Sequence, residues 1–91
     1  MSLTIAQCRV IERMQAGAVI GEWCRGSKRS YSLLWTEDRP RWERTERHLL
    51  SQTVFALLAA GLIRQDDSIG ERMLRFSRDG WLVLTEKGRA L

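Results

Sequence analysis

The sequence predicts an α+β domain, and three observations carry that prediction. Apolar residues recur at helical spacing near the N-terminus, with Val10, Ile11 and Met14 in register. Two stretches rich in β-branched and aromatic residues, Ala18 to Cys24 and Ser30 to Thr36, flank a short basic loop. A compact apolar helix over Ser51 to Gly61 then gives way to short runs separated by polar turns. With 91 residues there is room for one core and one domain, residues 1–91, and little room for a separate catalytic lobe.

The first helix has a start and a stop. Thr4 and Gln7 hold capping-box spacing, and Leu3 with Cys8 can form the hydrophobic staple. Ala6, Val10, Ile11 and Met14 form the expected buried stripe, with Arg9, Glu12, Arg13 and Gln15 largely opposite, and Gly17 ends the helix. A hairpin follows. Turning it about a five-residue loop, Arg25 to Arg29, sets Trp23 against Tyr31, Gly21 against Leu33 and Val19 against Trp35. Those six then share one face, and Glu22 and Ser32 lie on the other.

Residues 37–47 form a charge-dense connector in which Pro40 argues against a continuous helix. Trp42 to Leu50 reads equally as a short helix or an extended segment. Ser51 is placed to cap the second helix, Val54, Phe55, Leu57 and Leu58 supply its apolar residues, and Gly61 ends it. Leu62 to Gln65, Arg72 to Ser77 and Trp81 to Leu84 read as strands around turns at 66–70 and 78–80, and Thr85 caps a last helical turn. The expected core comprises Val10, Ile11, Met14, Trp23, Leu33, Val54, Leu58, Leu62, Phe76 and Leu84.

The segment SQTVFALLAAG, then Leu62 and Ile63, a turn, an apolar run and Leu84-Thr85-Glu86-Lys87-Gly88 resembles the recognition helix and wing of bacterial winged-helix proteins. Regulators of the multiple-antibiotic-resistance type share that ending, as do many small phage and plasmid proteins. The resemblance covers roughly half the chain. It implies a winged-helix-like domain: an N-terminal helix, a β-hairpin, an apolar second helix and a C-terminal β-wing. The hairpin departs from the family pattern, which has a helix there.

Composition narrows the function. The chain is 44% hydrophobic and 29% charged, as folded globular domains are. No apolar run is long enough to span a membrane and no leader pattern is visible, so a cytoplasmic location is expected. His48, Cys8 and Cys24 do not make up a four-ligand zinc set, and the glycines form no phosphate loop. Neither an enzyme nor a cofactor is expected.

Basic residues are the functional candidates. The net charge is +4, and arginine supplies most of the positive residues. Arg forks suit phosphates and carboxylates. Arg25, Lys28 and Arg29 sit at the hairpin tip, and Arg39, Arg41, Arg44 and Arg47 crowd the connector around Trp42. The resemblance implies phosphate contacts from Arg72, Arg75 and Arg78 on the wing, with Ser51, Gln52 and Thr53 placed to touch DNA bases.

The helix from Ser51 to Gly61 carries no charge, however, and a helix that is apolar or small all round is usually covered. Ala56, Ala59 and Ala60 are the expected contact, with a second copy as the simplest cover. Two functions follow. One is a small double-stranded-DNA-binding protein, such as a phage or mobile-element transcription regulator. The other is a module on the same scaffold that binds an acidic or nucleic-acid-binding protein, as phage anti-defence (anti-CRISPR) inhibitors do.

Overall fold

A computed structural model describes residues 3–35, 47–71 and 78–91, apart from the side chain of Arg47. The expected α+β class holds: three helices and a five-stranded antiparallel sheet. Helix α1, Ile5–Gln15, has the capping box that its sequence announces. The Gln7 amide donates to Thr4 Oγ1 at 3.1 Å, and the Thr4 amide donates to Gln7 Oε1 at 3.1 Å. Val10, Ile11 and Met14 are buried on its inner side, whereas Ala6, expected beside them, is exposed.

Strands β1, Ala18–Arg25, and β2, Lys28–Trp35, form the expected hairpin in a different register. The connection is a two-residue turn, Gly26-Ser27, so Arg25 pairs with Lys28, Glu22 with Tyr31 and Ile20 with Leu33. Gly26 has φ of +61° and Ser27 does not enter positive φ, as a type II′ turn requires. Such a turn matches the twist of the strands, so it prevails over the five-residue loop. A one-residue slip exchanges faces. Tyr31 therefore shares a face with Ile20 and Glu22, and Trp23 lies on the opposite one with Val19 and Gly21.

Strand β3, Arg47–Leu49, resolves the open choice for its three residues in favour of extended chain and pairs with β2. Helix α2, Ser51–Ala59, begins one residue earlier than expected: Leu50 is its N-cap, without a side-chain cap, and Ser51 is its first residue. Val54 and Leu57 are fully buried, and Leu58 is 36% exposed. Leu58, expected in the core, is thus replaced there by Leu57: three- and four-residue spacings both keep a side chain near Val54's face, and the helix's rotation buries the three-residue one. The helix ends in a Schellman motif, the Gly61 amide bonding to Leu58 O at 3.0 Å and the Leu62 amide to Leu57 O at 3.1 Å.

Strand β4, Ile63–Gln65, leads into a 3-10 turn, Asp67–Glu71, and β5, Gly80–Leu84, precedes helix α3, Glu86–Arg89. The strand expected over residues 72–77, with Phe76, lies outside the described residues. The sheet order is β3-β2-β1-β5-β4. Strand β5 thus sits between β1 and β4, inside the sheet and not on a projecting wing, and no winged-helix topology is evident.

Both faces of the sheet bury apolar side chains. On one, Ile20, Leu33, Ile63, Leu82 and Leu84 pack with Val10, Ile11 and Met14 of α1 and Val54 and Leu57 of α2. On the other, Val19, Leu34, Trp81 and Val83 form a second cluster with Ile69 against it. The expected core residue Trp23 is only half-buried on this second face.

The Leu84 to Gly88 segment locks the C-terminal end of α2. Thr85 Oγ1 donates to Gly61 O at 2.6 Å and accepts from the Gly88 amide at 3.1 Å. The Thr85 amide bonds to Leu62 O at 3.0 Å and Lys87 Nζ to Ala60 O at 3.0 Å. Position 88 must be glycine, because a Cβ there would collide with the Leu62 carbonyl.

In urea unfolding, Leu57→Ala is expected to cost about 2–5 kcal/mol, as fully buried leucines do. Leu58→Ala should cost less than half as much. Gly88→Ala should lose roughly 1–3 kcal/mol by overpacking. An L58A variant as unstable as L57A would contradict this assignment of the helix faces.

Candidate interaction surface

Among the described residues, the β1–β2 hairpin outruns its neighbours. Strand β5 pairs with β1 only as far as Glu22 opposite Gly80, and β3 pairs with β2 only as far as Leu49 opposite Tyr31. Beyond those points residues 23–30 pair with one another as a two-stranded ribbon. Its base is fastened to the start of β5: the Asp79 amide donates to Glu22 O at 2.9 Å, and the Cys24 amide to Asp79 Oδ2 at 2.6 Å. Arg25, Lys28 and Arg29 are all exposed on the ribbon. Arg25 and Lys28 share the face of Trp23, and Arg29 lies on the other with Cys24 and Tyr31. The three cations straddle the tip.

Arg78 has a packing role that sequence reasoning did not anticipate. Its guanidinium lies 3.8 Å from the centroid of the Trp23 ring, while that of Arg25 is 5.8 Å away. Its aliphatic stem crosses Gly21, where a Cβ would come within 3.0 Å of Arg78 Cγ. Arg44, Arg72 and Arg75 lie outside the described residues, as do Arg39, Arg41 and Trp42. Arg47 contributes its backbone to β3.

On α2, Gln52 and Ala59 are exposed, and Ser51, Thr53, Ala56 and Ala60 are half-buried. The alanines flagged from the sequence are therefore only part of the outer surface. Phe55 is 49% exposed, Leu58 36% and the capping residue Leu50 73%. These three were missed as surface residues. The spacing of Gln52, Phe55 and Ala59 was the available signal, because it puts Phe55 on the face of a polar residue. The Phe55 ring meets Tyr31 edge to face, with centroids 5.9 Å apart and planes at 84°. Since Arg29 is two residues from Tyr31 on the same face of β2, the aromatic pair joins the apolar helix to the basic ribbon.

Cys24 and Cys8 are free thiols. Local desolvation, then a hydrogen bond from Cys24 Sγ to Glu22 Oε1 at 3.4 Å and the charges of Glu22 and Asp79, push the Cys24 thiol above its ordinary range; Arg29 opposes them. The thiolate, not the thiol, is the nucleophile, so this arrangement holds an exposed cysteine quiet. In a Cys8→Ser background near pH 8, Cys24 should react more slowly with iodoacetamide than a free thiol in a peptide. Glu22→Gln should accelerate it and Arg29→Gln slow it further. Unchanged rates in both variants would show that these charges do not control the thiol. Comparison with protein-family models, characterised proteins and solved structures finds no match to this chain.

Proposed function

We propose that this domain is a protein-binding module, working in the cytoplasm, that engages a partner through the outer side of α2. The observation that carries this reading is the exposure of Leu50, Phe55 and Leu58 on and beside a helix without charged residues. A DNA-reading helix needs hydrogen-bonding side chains at its groove-facing side. Here that side offers Gln52 with an aromatic ring and a leucine. Water-exposed apolar groups grouped on one element are typical of contact surfaces. Arg25, Lys28 and Arg29 on the adjoining ribbon favour a partner with an acidic rim, because rim charges steer association.

A photo-crosslinker placed at Leu58 should yield a discrete protein adduct in cells that contain the partner. One placed at Glu71, away from α2, should not. A Phe55→Ser/Leu58→Ser double variant, folded by circular dichroism, should lose the complex. A complex that survives this double substitution, read by co-purification without the crosslinker, would rule α2 out as the contact.

The projecting ribbon favours a second reading, nucleic-acid binding through phosphate contacts, with the helix–strand-pair order of the C-terminal half as its winged-helix-like component. Mixed duplex DNA should then bind at about 50 mM salt, with log K falling by about 0.9 per phosphate contact against log salt. Arg25→Gln should lower that slope by about one unit. Absence of binding at low salt removes this reading.

A further inference from the structure

A second feature of the helical side is a hollow of about 240 Å³ between α1, β3 and the start of α2. We propose that it is a docking groove for an acidic, amphipathic segment of a partner protein; the proposal rests on the protein-binding reading and names the chemistry of the partner. Val10 and Leu33 form the floor, both buried in the main core, and Leu49 and Leu50 form one wall. Arg9 and Arg13 stand on the opposite wall. Among the described residues, the charged ones lining the hollow are these two arginines, and His48 and Thr53 also border it.

The two arginines are the informative pair. They lie four residues apart on α1, so their guanidinium groups occupy one face, where like charges oppose the helix. Neither has an ion-pair partner among the described residues, where the ion pair found is Arg64 with Asp66. Glu12, the acid between them in sequence, lines a different hollow with Leu3 and Cys8. A carboxylate entering the groove would relieve the repulsion and take charge-assisted, forked hydrogen bonds.

The leucines decide the class of occupant. Leu50 is 73% exposed at the lip, and the floor beneath is apolar. Phosphate or a duplex backbone would satisfy the arginines and leave this surface in water. A second copy of the chain carries the same net charge of +4 and meets the groove with repulsion. A peptide segment with an aliphatic side chain between carboxylates fills the floor and neutralises the wall together.

The test is amide-resolved NMR titration of the full chain with a short synthetic Glu/Leu peptide. A Gln/Leu peptide, a Glu/Ser peptide and a short mixed DNA duplex serve as comparisons. Shifts should concentrate at residues 6–13 and 48–53 with the Glu/Leu peptide and be weak with the others. Arg9→Gln/Arg13→Gln should weaken binding about tenfold or more, since two charge-assisted contacts are lost. Leu50→Ser should weaken it as well, with both variants folded by circular dichroism. Equal response to the Glu/Ser peptide or to the duplex overturns the proposal, and so does a silent groove. Shifts confined to Phe55, Leu58 and the ribbon overturn the groove while supporting the protein-binding reading. Groove binding combined with failure of the Leu58 crosslink would sink the α2 contact instead.

Discussion

The fastening of α3 to the end of α2 is the constraint on which the domain's layout depends. A helix of nine residues is too short to hold itself together in water. Its final carbonyls also have no partners within the helix. Here the Gly61 and Ala60 carbonyls are taken by Thr85 and Lys87, and Leu62 O receives the Thr85 amide. Because Thr85 directly follows β5, these bonds set the position of α2 over the sheet from one of the sheet's interior strands. Gln15 extends the fastening to α1, donating to Gly88 O at 3.2 Å and Leu91 O at 3.0 Å. The Leu-Thr-Glu-Lys-Gly segment has a physical job whether or not any nucleic acid is involved. That is why its presence argues for a local arrangement more than for an activity.

The two-sided sheet explains what the sequence could and could not reveal. Where one face of a hairpin meets water, alternation fixes which residues point inward. In β1 and β2 both faces are apolar: Ile20 and Leu33 enter one core, Val19 and Leu34 the other. Two registers one residue apart then bury similar sets of side chains, and only the turn distinguishes them. Gly26-Ser27 carried that information, and counting residues between apolar runs passed over it. Helix α1 was more legible. Its cap, its stop and its one-sided stripe are local properties, and all three appear where the residues place them, with Ala6 the exception. The 3-10 turn after β4 was legible as a turn. The insertion of β5 beside β1 was not, because pairing between strands about sixty residues apart leaves no local mark.

The surface was half legible for a related reason. Charge at the hairpin tip could be read directly, since three cations in a turn have no core to enter, and the structure leaves them exposed. Arg78 could not. Its aromatic partner, Trp23, is far away in sequence, and only the β1–β5 pairing brings them together. On α2 the absence of charge was visible in the sequence. Which residues made that surface depended on rotation of the helix about its axis. A turn by less than one residue separates an alanine face from one that presents Phe55 and Leu58.

That rotation bears on function through the energetics of exposure. Small alanine side chains offer a close approach and little area, whereas a half-exposed phenylalanine and two leucines offer apolar area whose removal from water favours association. In the proposed complex the charged groups nearby would set direction without supplying most of the affinity, because rim ion pairs remain solvated. Arg29 is joined to this apolar surface through Tyr31 and Phe55, and Arg9 and Arg13 stand across a hollow from Leu50. Apolar area bordered by arginines recurs on both flanks of α2. A partner that matched only the charge would leave the leucines wet, and one that matched only the leucines would bury guanidinium groups without counter-charges. On the proposed protein-binding reading, recognition on this helix would therefore demand both features at once, favouring acidic, apolar-cored contacts over a uniform polyanion.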